Sequence, residues 1–73
     1  METKQKFGLV IKELRIQKGV SQERLALDAN IDRTYIGHIE KGVRNVSIEI
    51  IKKLATYFQM PISELFRIIE EKM

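Results

Sequence analysis

Three times along these 73 residues a helix-ending residue is followed closely by a helix-starting one: Gly19 then Ser21, Asn30 then Asp32, and Gly42 then Ser47. Glycine and asparagine tolerate the left-handed backbone that closes a helix. Serine and aspartate side chains accept hydrogen bonds from the free amides that open the next one. Pro61 makes a fourth break, because its ring occupies the amide that a continuing helix needs. This punctuation divides the chain into five short segments, and the apolar spacing inside them is helical.

The first segment covers about residues 4–18, with Phe7, Val10, Ile11 and Leu14 on one stripe. The second is opened by Ser21 and ended by Asn30, and its inward residues are Leu25, Ala26 and Ala29. Ile31 is a lone apolar residue in the connection. Asp32 caps the third segment, Arg33 to about Lys41, which turns Ile36 and Ile39 inward. After a loop at 43–46, Ser47 opens a fourth segment carrying Ile48, Ile51, Leu54, Ala55 and Phe58. The fifth starts at Ile62 or Ser63 and carries Leu65, Phe66, Ile68 and Ile69. No sustained apolar–polar alternation and no Asn-Gly or Asp-Gly turn appears. The expected fold is all-α, a five-helix bundle without a sheet.

A chain of this length is one domain, residues 1–73. At this size stability is marginal, so a well-packed helical core or a partner subunit is required. With no cysteine there is no disulfide framework and no thiolate chemistry, which fits a reducing cytoplasm. The longest apolar runs, such as Leu9-Val10-Ile11, are too short to span a membrane. No apolar stretch follows Lys4 and Lys6 as a secretory leader would need. No nucleophile–base pair and no phosphate-cradling glycine loop is visible, so no enzymatic activity, cofactor or small-molecule substrate is expected. His38 is the sole histidine and has no neighbouring ligand, so no metal is expected.

The net charge is +3, which suits nucleic acid without specifying it. Residues 1–20 hold five Lys or Arg against Glu2 and Glu13, while acids and bases balance over the rest. There is no basic tail, so contact with a polyanion falls mainly to the folded body.

The stretch Gln22 to Lys41 is where function concentrates. Two short helices separated by a few residues, with small Ala26 where they approach, meet the mechanical need of a helix-turn-helix. The second helix can then lie in the major groove with its N-terminal residues at base edges. Arg33 begins that helix, and its guanidinium can fork onto guanine O6 and N7; the alternatives are a solvated side chain or an ion pair with Asp32 or Glu40. Thr34 can meet a base edge or a thymine methyl, or be a plain polar first-turn residue. Tyr35 can touch base or sugar-phosphate, or pack half-buried on the helix flank. His38 lies one turn beyond Thr34 on the same face, toward the groove or simply at the surface, and Lys41 continues that face toward phosphate. Ser21 and Gln22 open the preceding helix, whose terminal amides suit a phosphate, although Ser21 serves equally as an ordinary cap. Gly37 is costly inside a helix; close approach of DNA would explain it, and drift at a tolerant position is the alternative.

Leu14-Arg15, Lys18-Gly19, Ser21-Gln22, Leu25-Ala26 and Ile39-Glu40-Lys41-Gly42 together resemble the phage-repressor and Cro-like helix-turn-helix family over about residues 7–66. Within it, Asp32-Arg33-Thr34-Tyr35-Ile36, Ile39-Glu40 and Arg44-Asn45 are similar to the controller proteins of bacterial restriction–modification systems. Asn30 replaces a more usual glycine, and Gly37 a more usual serine, which removes any side-chain contact there. The resemblance implies an ion pair between Arg15 and Glu40 that ties the projecting helix to the scaffold. It also implies DNA contacts from Arg44 and Asn45.

Ile50, Tyr57, Phe58, Met60, Ile62, Leu65, Phe66, Ile68 and Ile69 are too many for one core stripe. They are expected to supply a dimer interface from helices four and five, centred on Ile50, Tyr57, Ile62, Phe66 and Ile69; the alternative is a last helix folded back on the first. The expected function is a homodimeric, sequence-specific transcription regulator of the controller type on a near-palindromic operator. An antitoxin or phage-type repressor and a protein-interaction module are the competing readings.

Overall fold

The computed structural model describes residues 1–72. Five helices follow one another: α1 (Thr3–Lys18), α2 (Gln22–Ala29), α3 (Arg33–Lys41), α4 (Ile48–Tyr57) and α5 (Ile62–Glu70), with no strand among the described residues. The caps work as their residue types dictate. Ser21 Oγ accepts from the Arg24 amide at 3.0 Å, Asp32 Oδ1 from Thr34 and Tyr35 at 2.9 and 3.2 Å, and Ser47 Oγ from Ile50 at 3.2 Å. Asn30 closes α2 in the left-handed conformation at φ 57°, and its neighbour Ile31 returns an amide to Ala26 O at 2.9 Å.

Two boundaries differ from the sequence reading. Helix α1 begins at Thr3, because the Gln5 side chain accepts the Glu2 amide at 2.8 Å and organises an extra residue of helix. Helix α4 stops at Tyr57, so Phe58 lies at its end rather than within it. Gln59 there takes φ 58°, and the Met60 amide reaches back to Ala55 O at 3.0 Å. This is a glycine-type helix stop made without glycine, and no residue type announces it.

The core joins all five helices through Phe7, Val10, Ile11, Leu25, Ala26, Ile31, Ile36, Ile39, Leu54, Ala55, Leu65 and Ile69. Each large side chain among them contributes roughly 1.5–3 kcal/mol by leaving water. Helix α1 lies along α3, α2 packs on α3 and α4, and α5 folds back on α1. Phe66 meets Phe7 with ring centroids 6.2 Å apart, and Lys72 pairs with Glu13. The last helix therefore closes the monomer core. Ile69, expected at a dimer interface, is instead 1% exposed inside that core and cannot face a second subunit. Ile50, Tyr57, Ile62 and Phe66 remain half-buried.

The Tyr57 hydroxyl is buried without a hydrogen-bond partner among the described residues. Burial, then the nearby Asp28 charge, pushes its phenol pKa up. Removing an unsatisfied buried hydroxyl is favourable by about 1 kcal/mol. Tyr57→Phe is therefore expected to raise the thermal midpoint by roughly 4–8 °C; a fall on melting by circular dichroism contradicts this account.

Candidate nucleic-acid interface

Helix α3 rests its apolar side, Ile36 and Ile39, on the core and leaves its N-terminal edge in solvent. Its nine residues make a rod of about 13 Å at 1.5 Å per residue. A charged pair ties that rod down beside its apolar packing. Arg15 of α1 donates from Nε to Glu40 Oε2 at 2.7 Å and from Nη2 to Oε1 at 3.1 Å, and its Nη1 reaches Val20 O at 2.9 Å. The side chains are 13% and 3% exposed. The hydrogen bond to Glu40, reinforced by its charge, raises the Arg15 pKa above its ordinary value. One guanidinium thus links α1, the turn after it and the end of α3.

Gln22 completes this network. Its Nε2 donates to Glu40 Oε1 at 3.0 Å, so its amide is partly committed inside the protein, a role the sequence reading did not assign. Because a carboxylate can only accept, the amide nitrogen must face Glu40. One N–H of Gln22 stays free for an external acceptor. Ser21 is exposed beside it and spends its oxygen on the cap of α2.

Two recesses flank the exposed edge of α3. One, about 380 Å³, is lined by Asp32, Thr34, Tyr35, His38 and Arg44. Here the Arg44 guanidinium lies over the Tyr35 ring, 4.9 Å from its centroid, a contact that holds the loop cation beside the helix. Thr34 is exposed and His38 half-buried. The other recess, about 340 Å³, is lined by Lys12, Gln22, Arg33, Gly37, Glu40 and Lys41. Lys41, which helical spacing assigns to the Thr34 and His38 side, lines the recess on the Arg33 side. Asn45 is exposed and lines neither recess, but a groove with Thr3, Lys4, Phe7 and Phe66.

Among the described residues Arg33 has no carboxylate within ion-pair distance. Asp32 spends an oxygen on the helix cap, and the Glu40 oxygens face Arg15 and Gln22. The internal pairings considered for Arg33 are absent there, and its guanidinium lies back along α3 over Gly37. Gly37 costs about 1 kcal/mol relative to alanine in a helix interior. Lys12 escaped the sequence reading because its membership of this surface depends on how α1 crosses α3. Among the described residues no cluster of His, Cys, Asp and Glu could hold a metal ion, and no helix is long and apolar enough to cross a membrane.

The profile of the helix-turn-helix family matches residues 11–65. The control protein C.MunI of Mycoplasma sp. is 40% identical over 72 residues, covering 97% of each chain. The crystal structure of the restriction–modification controller protein C.AhdI from Aeromonas hydrophila matches with a TM-score of 0.80 and 49% identity, over 86% of this chain and 96% of that one. The controller protein C.Esp1396I, solved as a tetramer in complex with its natural 35 base-pair operator, matches with a TM-score of 0.86 and 32% identity, over 97% of this chain and 93% of that one. With α2 and α3 set as a helix-turn-helix and tied by Arg15 and Glu40, the chain belongs to the helix-turn-helix family, and within it to the restriction–modification controller proteins.

Proposed function

We propose that this chain is a sequence-specific DNA-binding transcription regulator of the restriction–modification controller type, acting as a homodimer on a near-palindromic operator in the cytoplasm. The observation that carries this reading is the exposed edge of α3, where Arg33, Thr34 and Lys41 face solvent and Arg33 has no carboxylate partner among the described residues. Arg33 reads guanine, Thr34 a neighbouring base, and Lys41 and the second N–H of Gln22 take backbone phosphates. Tyr35, His38 and Arg44 line the other side of the helix, against base or backbone. Ser21 and Asn45 serve as outer backbone contacts. The operator complex of C.Esp1396I supports the partner class.

The protomer measures 28 × 24 × 23 Å and carries one projecting α3. Two copies can set two such helices about 34–36 Å apart, one turn of DNA. The dimer contacts come from α4 and α5, through Ile50, Tyr57, Ile62 and Phe66, which the single chain leaves half-buried. Sedimentation at micromolar concentration should give twice the 8.6 kDa chain mass; a monomer mass refutes the dimer.

Selection of bound duplexes from a random pool tests the whole reading. The expected product is a near-palindromic site. In Arg33→Ala the preference at one guanine in each half-site should relax by about 10–100-fold, the equivalent of 1–3 kcal/mol of lost discrimination. No enriched site, with or without salt-sensitive bulk binding, points to a protein-interaction module instead.

A further inference from the structure

Three of the four glycines have reasons inside the fold. A Cβ on Gly8 would sit 2.0 Å from the Ile39 carbonyl oxygen, and one on Gly42 would sit 2.9 Å from Gln5 Cα at φ 74°. Gly19 has open space but needs φ 76°. Gly37 has neither constraint: a Cβ there would make ordinary contact, 3.4 Å from Arg33 Nη1 and 4.0 Å from Gln22 Oε1. The fold leaves room for alanine at a position where glycine weakens a helix.

Gly37 lines the recess of about 340 Å³ together with Lys12 of α1, Arg33 and Lys41 of α3, and Gln22 of α2. Its single carboxylate, Glu40, is 3% exposed, and its oxygens already accept from Arg15 and Gln22. Lys12 and Lys41 are exposed and have no carboxylate partner among the described residues. Three cations from two helices therefore surround an opening without a free anion of its own, and the spare N–H of Gln22 is the remaining donor nearby. That is the chemistry of an oxyanion seat.

We propose that this recess seats one phosphate of the DNA backbone, with Lys12 as a DNA contact supplied by α1. The proposal rests on the DNA-binding reading and deepens it. Lys12 and Lys41 neutralise the phosphate, while the Arg33 guanidinium lies beside it over Gly37. Such a contact is independent of sequence: it fixes how the protein sits on the duplex without choosing bases.

The test is the salt dependence of binding, by fluorescence anisotropy, to the selected duplex and to a scrambled duplex. Lys12→Gln should melt like the wild type, since Lys12 is exposed. Because the dimer carries two copies of Lys12, it should weaken both duplexes by the same factor, about 10–100-fold, and lower the slope of log K against log salt by about 1.8, about 0.9 for each lysine. Lys52→Gln, an exposed lysine on α4, should leave the slope unchanged. An unaltered slope in Lys12→Gln, or an equal drop in Lys52→Gln, overturns the seat while leaving the DNA reading standing. A wild type that binds neither duplex overturns both. Inorganic phosphate is the remaining probe, followed by amide chemical shifts at Gly37. Saturable shifts together with an unaltered DNA slope in Lys12→Gln identify a free-oxyanion site and reject the backbone assignment.

Discussion

Gly8→Ala is expected to destabilise the domain by about 3 kcal/mol. Gly8 is buried where α1 crosses α3, and an added Cβ would stand 2.0 Å from Ile39 O, 3.1 Å from Ile39 C and 3.1 Å from Glu40 O. These are backbone atoms of the recognition helix, so no side chain can turn aside to make room. The two helices must part, and the seam that parts holds Phe7, Ile11, Ile36 and Ile39. Alanine's better helix propensity returns at most about 1 kcal/mol, whereas overpacking a core typically costs 1–3 kcal/mol and more when backbone must move. A net loss of about 3 kcal/mol lowers the midpoint of a domain this small by roughly 12–24 °C. A melt within a few degrees of wild type contradicts the close crossing.

Glu40→Gln should cost about as much for a different reason. Its carboxylate accepts from Arg15 twice and from Gln22 once. A neutral amide leaves the Arg15 guanidinium, 13% exposed, without its counter-charge. Removing one partner of a largely buried pair costs on the order of 3–5 kcal/mol, again a fall of well over 10 °C. The companion Arg15→Met/Glu40→Met double variant should be milder than either single change, because no charge is then stranded. An unchanged midpoint in Glu40→Gln means that the pair is solvated and does not hold α3. Surface pairs serve as the control: Arg67 with Glu64 and Glu71 is exposed, and breaking it should change stability little.

The number, type and order of the helices were legible because they depend on local chemistry. Ser21, Asp32 and Ser47 cap, and Asn30, Gly19 and Gly42 stop, through interactions that span only a few residues. The end of α4 at Tyr57 was not legible, since Gln59 is not a left-handed residue type and is held there by the returning Met60 amide. Arg33 and Thr34 were legible as surface because they start a helix whose apolar residues lie elsewhere. Ile69 was misplaced because an apolar stripe looks the same whether it faces its own core or another subunit.

By itself, then, the sequence determined five short helices, the two-helix unit at Gln22 to Lys41, and the identity of the residues at the start of the projecting helix. Capping, turn formation and helical periodicity act within about one turn of chain, so they are readable in order. Tertiary structure alone decided that Gly8 must lack a side chain, that Gln22 joins Arg15 and Glu40, that Ile69 closes the monomer, and that Lys12 stands across from Arg33 and Lys41. Each of these depends on the crossing of helices distant along the chain, and that crossing is set by how whole side chains interlock rather than by any local preference.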